Sequence, residues 1–160
     1  MKENKETYVS MLVLSCDAYS DLWDDFFNLR EKFWPDCEYK WYLVTESKSY
    51  ERRGVEVIKC GKGMNWAGRF RKAVLYANTP YIGLFLEDYF ISEKIDSSII
   101  DQLLQIMTEN KVTLINTSDV FYRNINQPNK QYFAEHLIKI PNNMMYGIST
   151  ESAKIGRAHV

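Results

Sequence analysis

The amino-acid sequence predicts an α/β fold, an open and mostly parallel sheet with helices on both faces. Three observations predict it. Strand-length apolar runs occur at 8–15 (YVSMLVLS), Lys40–Thr45 (KWYLVT), Val55–Lys59 (VEVIK) and Tyr81–Leu86 (YIGLFL). The last of these, bounded upstream by Thr79-Pro80, is so continuously apolar that it reads as a strand covered on both faces. Stretches with helical spacing alternate with these runs, which is the signature of helices laid on a sheet. Finally, polar and acidic residues gather just past the strands, at Ser15-Cys16-Asp17, Thr45-Glu46 and Glu87-Asp88, where open α/β sheets bind their ligands.

The elements follow in order. After the first strand, Ser20 or Asp21 can cap a helix over 22–33, with Leu22, Phe26, Leu29 and Phe33 at helical spacing. Trp34-Pro35 ends it. The second and third strands are separated by a polar loop at 48–54. Gly61 and Gly63 bracket a turn, and Asn65 can cap a helix running through Tyr76, with Phe70, Ala73, Val74 and Ala77 on one side. The strand Tyr81–Leu86 comes next, then a helix over 97–108 marked by Ile99, Leu103, Ile106 and Met107, then a strand over 112–116. Beyond Thr117 the pattern weakens to a loop at 124–130 and short apolar pieces at 133–140 and 144–148. The order β-α-β-β-α-β-α-β, with no repeat, low-complexity tract or linker, reads as a single domain over residues 1–154.

The totals narrow the function. A chain of 160 residues, 46% hydrophobic and 14% aromatic, can bury a real core. A net charge of −1 gives no general attraction for nucleic acid or an anionic membrane. Cys16, Cys37 and Cys60 are odd in number and widely spaced, so they outline neither a zinc site nor a disulfide framework, and a reducing compartment is expected. Residues 1–8 lack the apolar stretch of a signal peptide, and no apolar run approaches the ~20 residues of a membrane span. The expected location is the cytoplasm, with room for peripheral docking at the inner membrane. Residues 155–160 (IGRAHV) break with what precedes them and resemble a translated sequencing adapter. The expectation is that the natural protein continues beyond Lys154, so those six, His159 included, are set aside from fold reasoning.

Several residues could carry chemistry. No glycine-rich dinucleotide fingerprint and no Walker lysine motif is present, which argues against a dinucleotide oxidoreductase or a P-loop NTPase. Asp17 is either a ligand contact or a turn acid, and Glu46, on the same expected edge, is either a solvated loop acid, the commoner case, or a ligand contact. Arg69 falls in the first turn of its helix, where a cation opposes the helix dipole, so it is expected to answer Glu87, Asp88 or a phosphate, or to lie on the surface beside a core Trp66. Trp66 can stack on a base or simply pack. Glu87 and Asp88 are hard oxygen donors suited to Mg²⁺ or Mn²⁺ with phosphate and water, or they are a strand-end acid pair bound to Arg69 or Arg71. Adjacent strand residues face opposite ways, so both acids reach one metal only if the strand has ended by Asp88. His136, without a partner motif, reads as structural or exposed, and Cys16 has no recognisable base.

Three places together resemble the nucleotide-binding half of GT-A-type glycosyltransferases, especially those of bacterial capsule and lipopolysaccharide biosynthesis. They are Ser15-Cys16-Asp17 followed by Tyr19-Ser20-Asp21-Leu22-Trp23, Asn65-Trp66-Ala67-Gly68-Arg69 leading a helix, and Leu86-Glu87-Asp88-Tyr89-Phe90 at the place of an acidic D-x-D-like motif. The resemblance covers about 8–96. It implies a GT-A-like, Rossmann-like sheet incomplete at its C-terminus, with Cys16, Asp17, Trp66 and Arg69 near the nucleotide and Glu87 and Asp88 near a Mn²⁺ or Mg²⁺ ion. It further implies a nucleotide-sugar donor, a glycan or lipid-linked acceptor, and a catalytic base in a later segment approached by 146–151. Tyr89 stands where a third acid is usual, which leaves a metal-independent variant open. Two other readings stand beside the transferase: a catalytically silent nucleotide-binding module, and a protein-interaction domain.

Overall fold

The computed structural model describes residues 8–112 together with 115–116, 132–134, 137–138 and 146–148. The described residues divide into two compact units, the first ending at Phe90 and the second beginning at Ile91. The first carries β1 (Val9–Leu14), a 3₁₀ stretch (Asp17–Leu22), α1 (Trp23–Phe33), β2 (Lys40–Thr45), β3 (Val55–Lys59), α2 (Trp66–Ala77) and β4 (Tyr81–Leu86). Its four strands form one sheet in the order β3-β2-β1-β4, and every pair is parallel. This is the α/β, Rossmann-like arrangement, and all four strands therefore end at the same edge.

The two faces of that sheet are built from alternate residues. Leu12, Leu14, Tyr42, Val44, Ile58 and Cys60 form one face, and α2 closes it with Ala73, Phe70, Val74 and Ala77. This is the helical stripe that the spacing predicts. The opposite face is aromatic: Trp41 meets Phe26 and Phe27 of α1 at 6.1 and 6.2 Å between ring centroids, Trp34 at 6.0 Å and Phe85 at 5.2 Å. Helices thus cover both faces. The step from β3 to β4 passes β2 and β1, so the strand order reverses between β1 and β4.

Three local expectations are corrected. Neither Ser20 nor Asp21 caps α1; they lie in the 3₁₀ stretch, and α1 begins at Trp23 with no side-chain cap. Its buried stripe is accordingly Trp23, Phe26 and Phe27, with Leu29 and Phe33 only half-buried. The third concerns β4, which is not covered on both faces. It lies at the sheet's edge, α2 packs on β1 and β2, and Leu84 is left 41% exposed.

The β2–β3 connection is a parallel crossover without a helix, residues 46–54, shorter than the dozen or so residues usual for such a link. It holds because it is strapped to α1. Tyr50 stacks on Phe27 and donates its hydroxyl to Asp24 at 2.9 Å, while Arg52 grips Glu31 with Nε at 3.0 Å and Nη2 at 2.8 Å and reaches Asn28 at 2.8 Å. Near the sheet edge, Gly61 and Gly63 adopt φ of +94° and +84°, a conformation L side chains rarely enter, and so turn the chain into α2. Asn65 caps α2, its Oδ1 accepting from the Gly68 N–H at 2.8 Å, as the sequence predicts.

In the second unit, α3 (Ser97–Asn110) starts at Asp96, whose carboxylate accepts from the Ser98 N–H at 2.9 Å, and ends at Lys111 in the left-handed conformation. Short strands β5 (Ile115–Asn116), β6 (Tyr132–Ala134), β7 (Leu137–Ile138) and β8 (Tyr146–Ile148) form a mixed sheet in the order β5-β8-β7-β6. The rest of the strand predicted over 112–116, the loop at 124–130, His136 and residues 155–160 lie outside the described residues. Among the described residues, no helix is long and apolar enough to cross a membrane.

Candidate functional site

The sheet brings the ends of β1, β2 and β4 together at the edge where its strand order reverses, the position at which open α/β sheets bind ligands. The register fixes the neighbours. Leu14 pairs with Leu86, so Ser15 after β1 and Glu87 after β4 are the next residues along. The strand does end in time: the Tyr89 N–H donates to the Leu86 carbonyl at 3.0 Å, closing a turn with Glu87 and Asp88 at its centre. Strand alternation therefore no longer forces the two carboxylates apart.

Their environments differ. Glu87 is only 8% exposed, whereas Asp88 is exposed. Burial pushes the Glu87 carboxyl above the usual Glu range, opposed by its own backbone N–H; the charge of Asp88 pushes it further up, and the Ser15 hydroxyl and the Arg69 charge pull it back. Ser15 is itself buried and is held from behind by Trp23, whose indole N–H donates to the Ser15 oxygen at 2.8 Å. That donor leaves the Ser15 proton to be given away, to the Cys16 carbonyl at 3.3 Å or toward Glu87.

Asp17 is committed to the loop after β2. Its Oδ1 accepts from the backbone N–H groups of Glu46, Ser47 and Lys48, each at 3.1 Å, and its Oδ2 accepts from the Ser47 hydroxyl at 2.6 Å. Desolvation works to raise this carboxyl, but the Ser47, Lys48 and Glu46 bonds outweigh it and hold it well below the usual Asp range. Of the two readings of Asp17, the turn acid describes its contacts. A carboxyl depressed on folding stabilises the fold above its ordinary value of 3.8 and loses that contribution as the pH falls through its lower folded value. We therefore expect Asp17→Asn to lower the unfolding temperature at neutral pH. The difference from the parent should shrink steadily below about pH 4 in a pH series of thermal melts.

Arg69 answers neither Glu87 nor Asp88 by direct pairing. Its Nη1 lies 3.3 Å from Oε1 of Glu46, whose Oε2 accepts from the Asp17 N–H at 3.2 Å. Glu46 is therefore a bridge between α2 and the loop after β1, not the solvated acid that its loop position suggests. Its place one residue past β2, on the same edge as Asp17 and Glu87, was the available signal. Nothing in the local pattern marked Trp23 as the partner of Ser15, because that contact depends on how α1 begins. Cys16 sits between Ser15 and Asp17, half-buried with a free thiol. Trp66 opens α2 and is 48% exposed, with its ring stacked on Phe70 at 5.6 Å between centroids. The structure thus gathers Asp17, Glu46 and Arg69 into one bonded chain and sets Glu87 beside Ser15, with Asp88 next to it on the turn and Trp66 at the head of α2.

Among the described residues, no three His, Cys, Asp or Glu side chains are grouped to hold a metal ion. Glu87 and Asp88 are two oxygen donors on one turn, and in donor chemistry alone they are of the kind that a hard divalent cation takes together with phosphate and water. Comparison of the chain with protein-family models, curated proteins and solved structures gives no match.

Proposed function

We propose that this chain is the donor-binding portion of a glycosyltransferase of the GT-A type. It would bind a nucleotide-diphosphate sugar in the crevice past β1 and β4, for transfer to a glycan or lipid-linked acceptor. The observation that carries the reading is the Glu87-Asp88 turn, with one carboxyl buried, at the point where the strand order reverses. A diphosphate there meets the first turn of α2, whose backbone N–H groups favour anions, and the Arg69 guanidinium. The exposed face of Trp66 offers a surface for a base or sugar ring. A Mn²⁺ or Mg²⁺ ion held at Glu87 and Asp88 would supply charge neutralisation for the departing diphosphate. The chain's own residues orient the donor and place Arg69 where negative charge grows on the leaving group. The sugar acceptor, the base that activates it and the hexosyl identity of the transferred group belong to the same proposal.

The reading is tested by calorimetric titration with ADP, CDP, GDP, TDP and UDP, each with Mn²⁺ and with EDTA. One of the five should bind, and more tightly with Mn²⁺. No binding by any of them in either condition would overturn it.

A further inference from the structure

We propose that Glu46 is a built-in anion that occupies Arg69 until a ligand phosphate displaces it. The inference rests on the diphosphate-binding reading and assigns to the same crevice a residue that sets its affinity.

The chain contains an internal standard for a completed arginine–carboxylate pair. Arg52 meets Glu31 as a fork, Nε to Oε1 at 3.0 Å and Nη2 to Oε2 at 2.8 Å. Two parallel N–H bonds of this kind are what a guanidinium is shaped to give a carboxylate or phosphate. Arg69 does not achieve it. Its contact with Glu46 is a single approach at 3.3 Å, longer than the ~2.7–2.9 Å of a charge-assisted hydrogen bond. Its Nε is buried and has no hydrogen-bond partner among the described residues. The side chain is only 13% exposed, so water does little to compensate.

The cause is geometric. Oε2 of Glu46 is held by the Asp17 N–H, and Asp17 is fixed by the backbone of 46–48. The carboxylate is thereby anchored to the loops after β1 and β2 and cannot follow Arg69 to complete a fork. An oxyanion brought by a ligand carries no such tether. It can accept from Nε and a terminal nitrogen together, which satisfies the orphaned donor and releases Glu46. Glu46 thus keeps Arg69 neutralised when the crevice is empty and competes with every anion that enters.

The test is titration with inorganic pyrophosphate and, separately, with UDP, in EDTA so that Glu87 and Asp88 gain no metal. The parent protein, Glu46→Gln and Arg69→Gln are compared. Glutamine keeps an oxygen for the Asp17 N–H, and an unchanged melting temperature verifies that the loop is intact. Glu46→Gln should bind pyrophosphate roughly two- to fivefold more tightly, the scale of one partly exposed ion pair that no longer has to be broken. Arg69→Gln should lose about tenfold or more. In the parent protein, the Arg69 Nε–H resonance should move downfield on adding pyrophosphate, a readout that needs no variant. Unchanged or weaker pyrophosphate binding by folded Glu46→Gln, or a static Nε–H resonance, would overturn the inference. If UDP binds while Glu46→Gln shows no gain, the nucleotide reading survives and the Glu46 role falls. If pyrophosphate behaves as expected and no nucleoside diphosphate binds, the Glu46 role stands and the nucleotide reading falls.

Discussion

Trp41→Ala should cost about 3–5 kcal/mol of folding free energy, the usual scale for emptying a large aromatic site in a close-packed core. Trp41 is 1% exposed and lies at the centre of the sheet's aromatic face. It touches rings from α1, from the segment after it and from β4, since Phe26, Phe27, Trp34 and Phe85 all lie within 6.2 Å of it between centroids. The Arg30 guanidinium sits 5.2 Å above its ring, and its indole N–H donates to the Cys37 sulfur at 3.3 Å. The neighbouring rings are large and anchored in their own elements, so the lost contacts are recovered only in part. Against a total stability of ~5–15 kcal/mol for an ordinary domain, such a loss is a large fraction of the whole and lowers the urea midpoint by the same fraction. Trp41→Phe keeps the ring contacts with β4 and α1 and should cost clearly less. Equal midpoints for Trp41→Ala and the parent protein would show that this face is not the core.

Asp88→Asn and Glu87→Gln should each remove the Mn²⁺-dependent part of nucleoside diphosphate binding, a loss of at least about tenfold, or ~1.4 kcal/mol. The two substitutions should leave the fold in place for different reasons. Asp88 is exposed. Glu87 is buried with its carboxyl pushed up by that burial, so a neutral amide of the same shape is no harder to accommodate than the charged group it replaces. Asp36→Asn, an exposed acid past the end of α1, is the control and should titrate like the parent protein. Identical curves for Asp88→Asn and Asp36→Asn, with and without Mn²⁺, would remove the metal role from this turn.

Much of the fold was legible because it is written in local patterns. Lys40–Thr45, Val55–Lys59 and Tyr81–Leu86 are strands within the residues that their apolar runs mark, and the Asn65 cap and the Phe70–Ala73–Val74–Ala77 stripe are where helical spacing puts them. What was not legible depends on partners distant in sequence. Leu84 looks like a core residue in YIGLFL, yet it is exposed because α2 settles over β1 and β2. Leu22 fits a helical stripe, but the chain spends Asp17–Leu22 in a 3₁₀ stretch while Asp17 is fastened to the loop after β2. The site divides the same way. That Glu87 and Asp88 follow a strand can be read directly, but that Arg69 spends itself on Glu46 cannot, because nothing local links residues so far apart.

The most direct test of the account is a ¹⁵N-correlated spectrum of the chain in saturating UDP or GDP, whichever binds, with trace Mn²⁺. Paramagnetic broadening should be strongest at the amides of Glu87, Asp88 and Tyr89, next at Ser15 to Asp17 and the first turn of α2, and absent from the opposite sheet edge at Val9, Lys40 and Val55. Broadening centred on that opposite edge, or spread evenly over the surface, would contradict a donor site at the ends of β1 and β4.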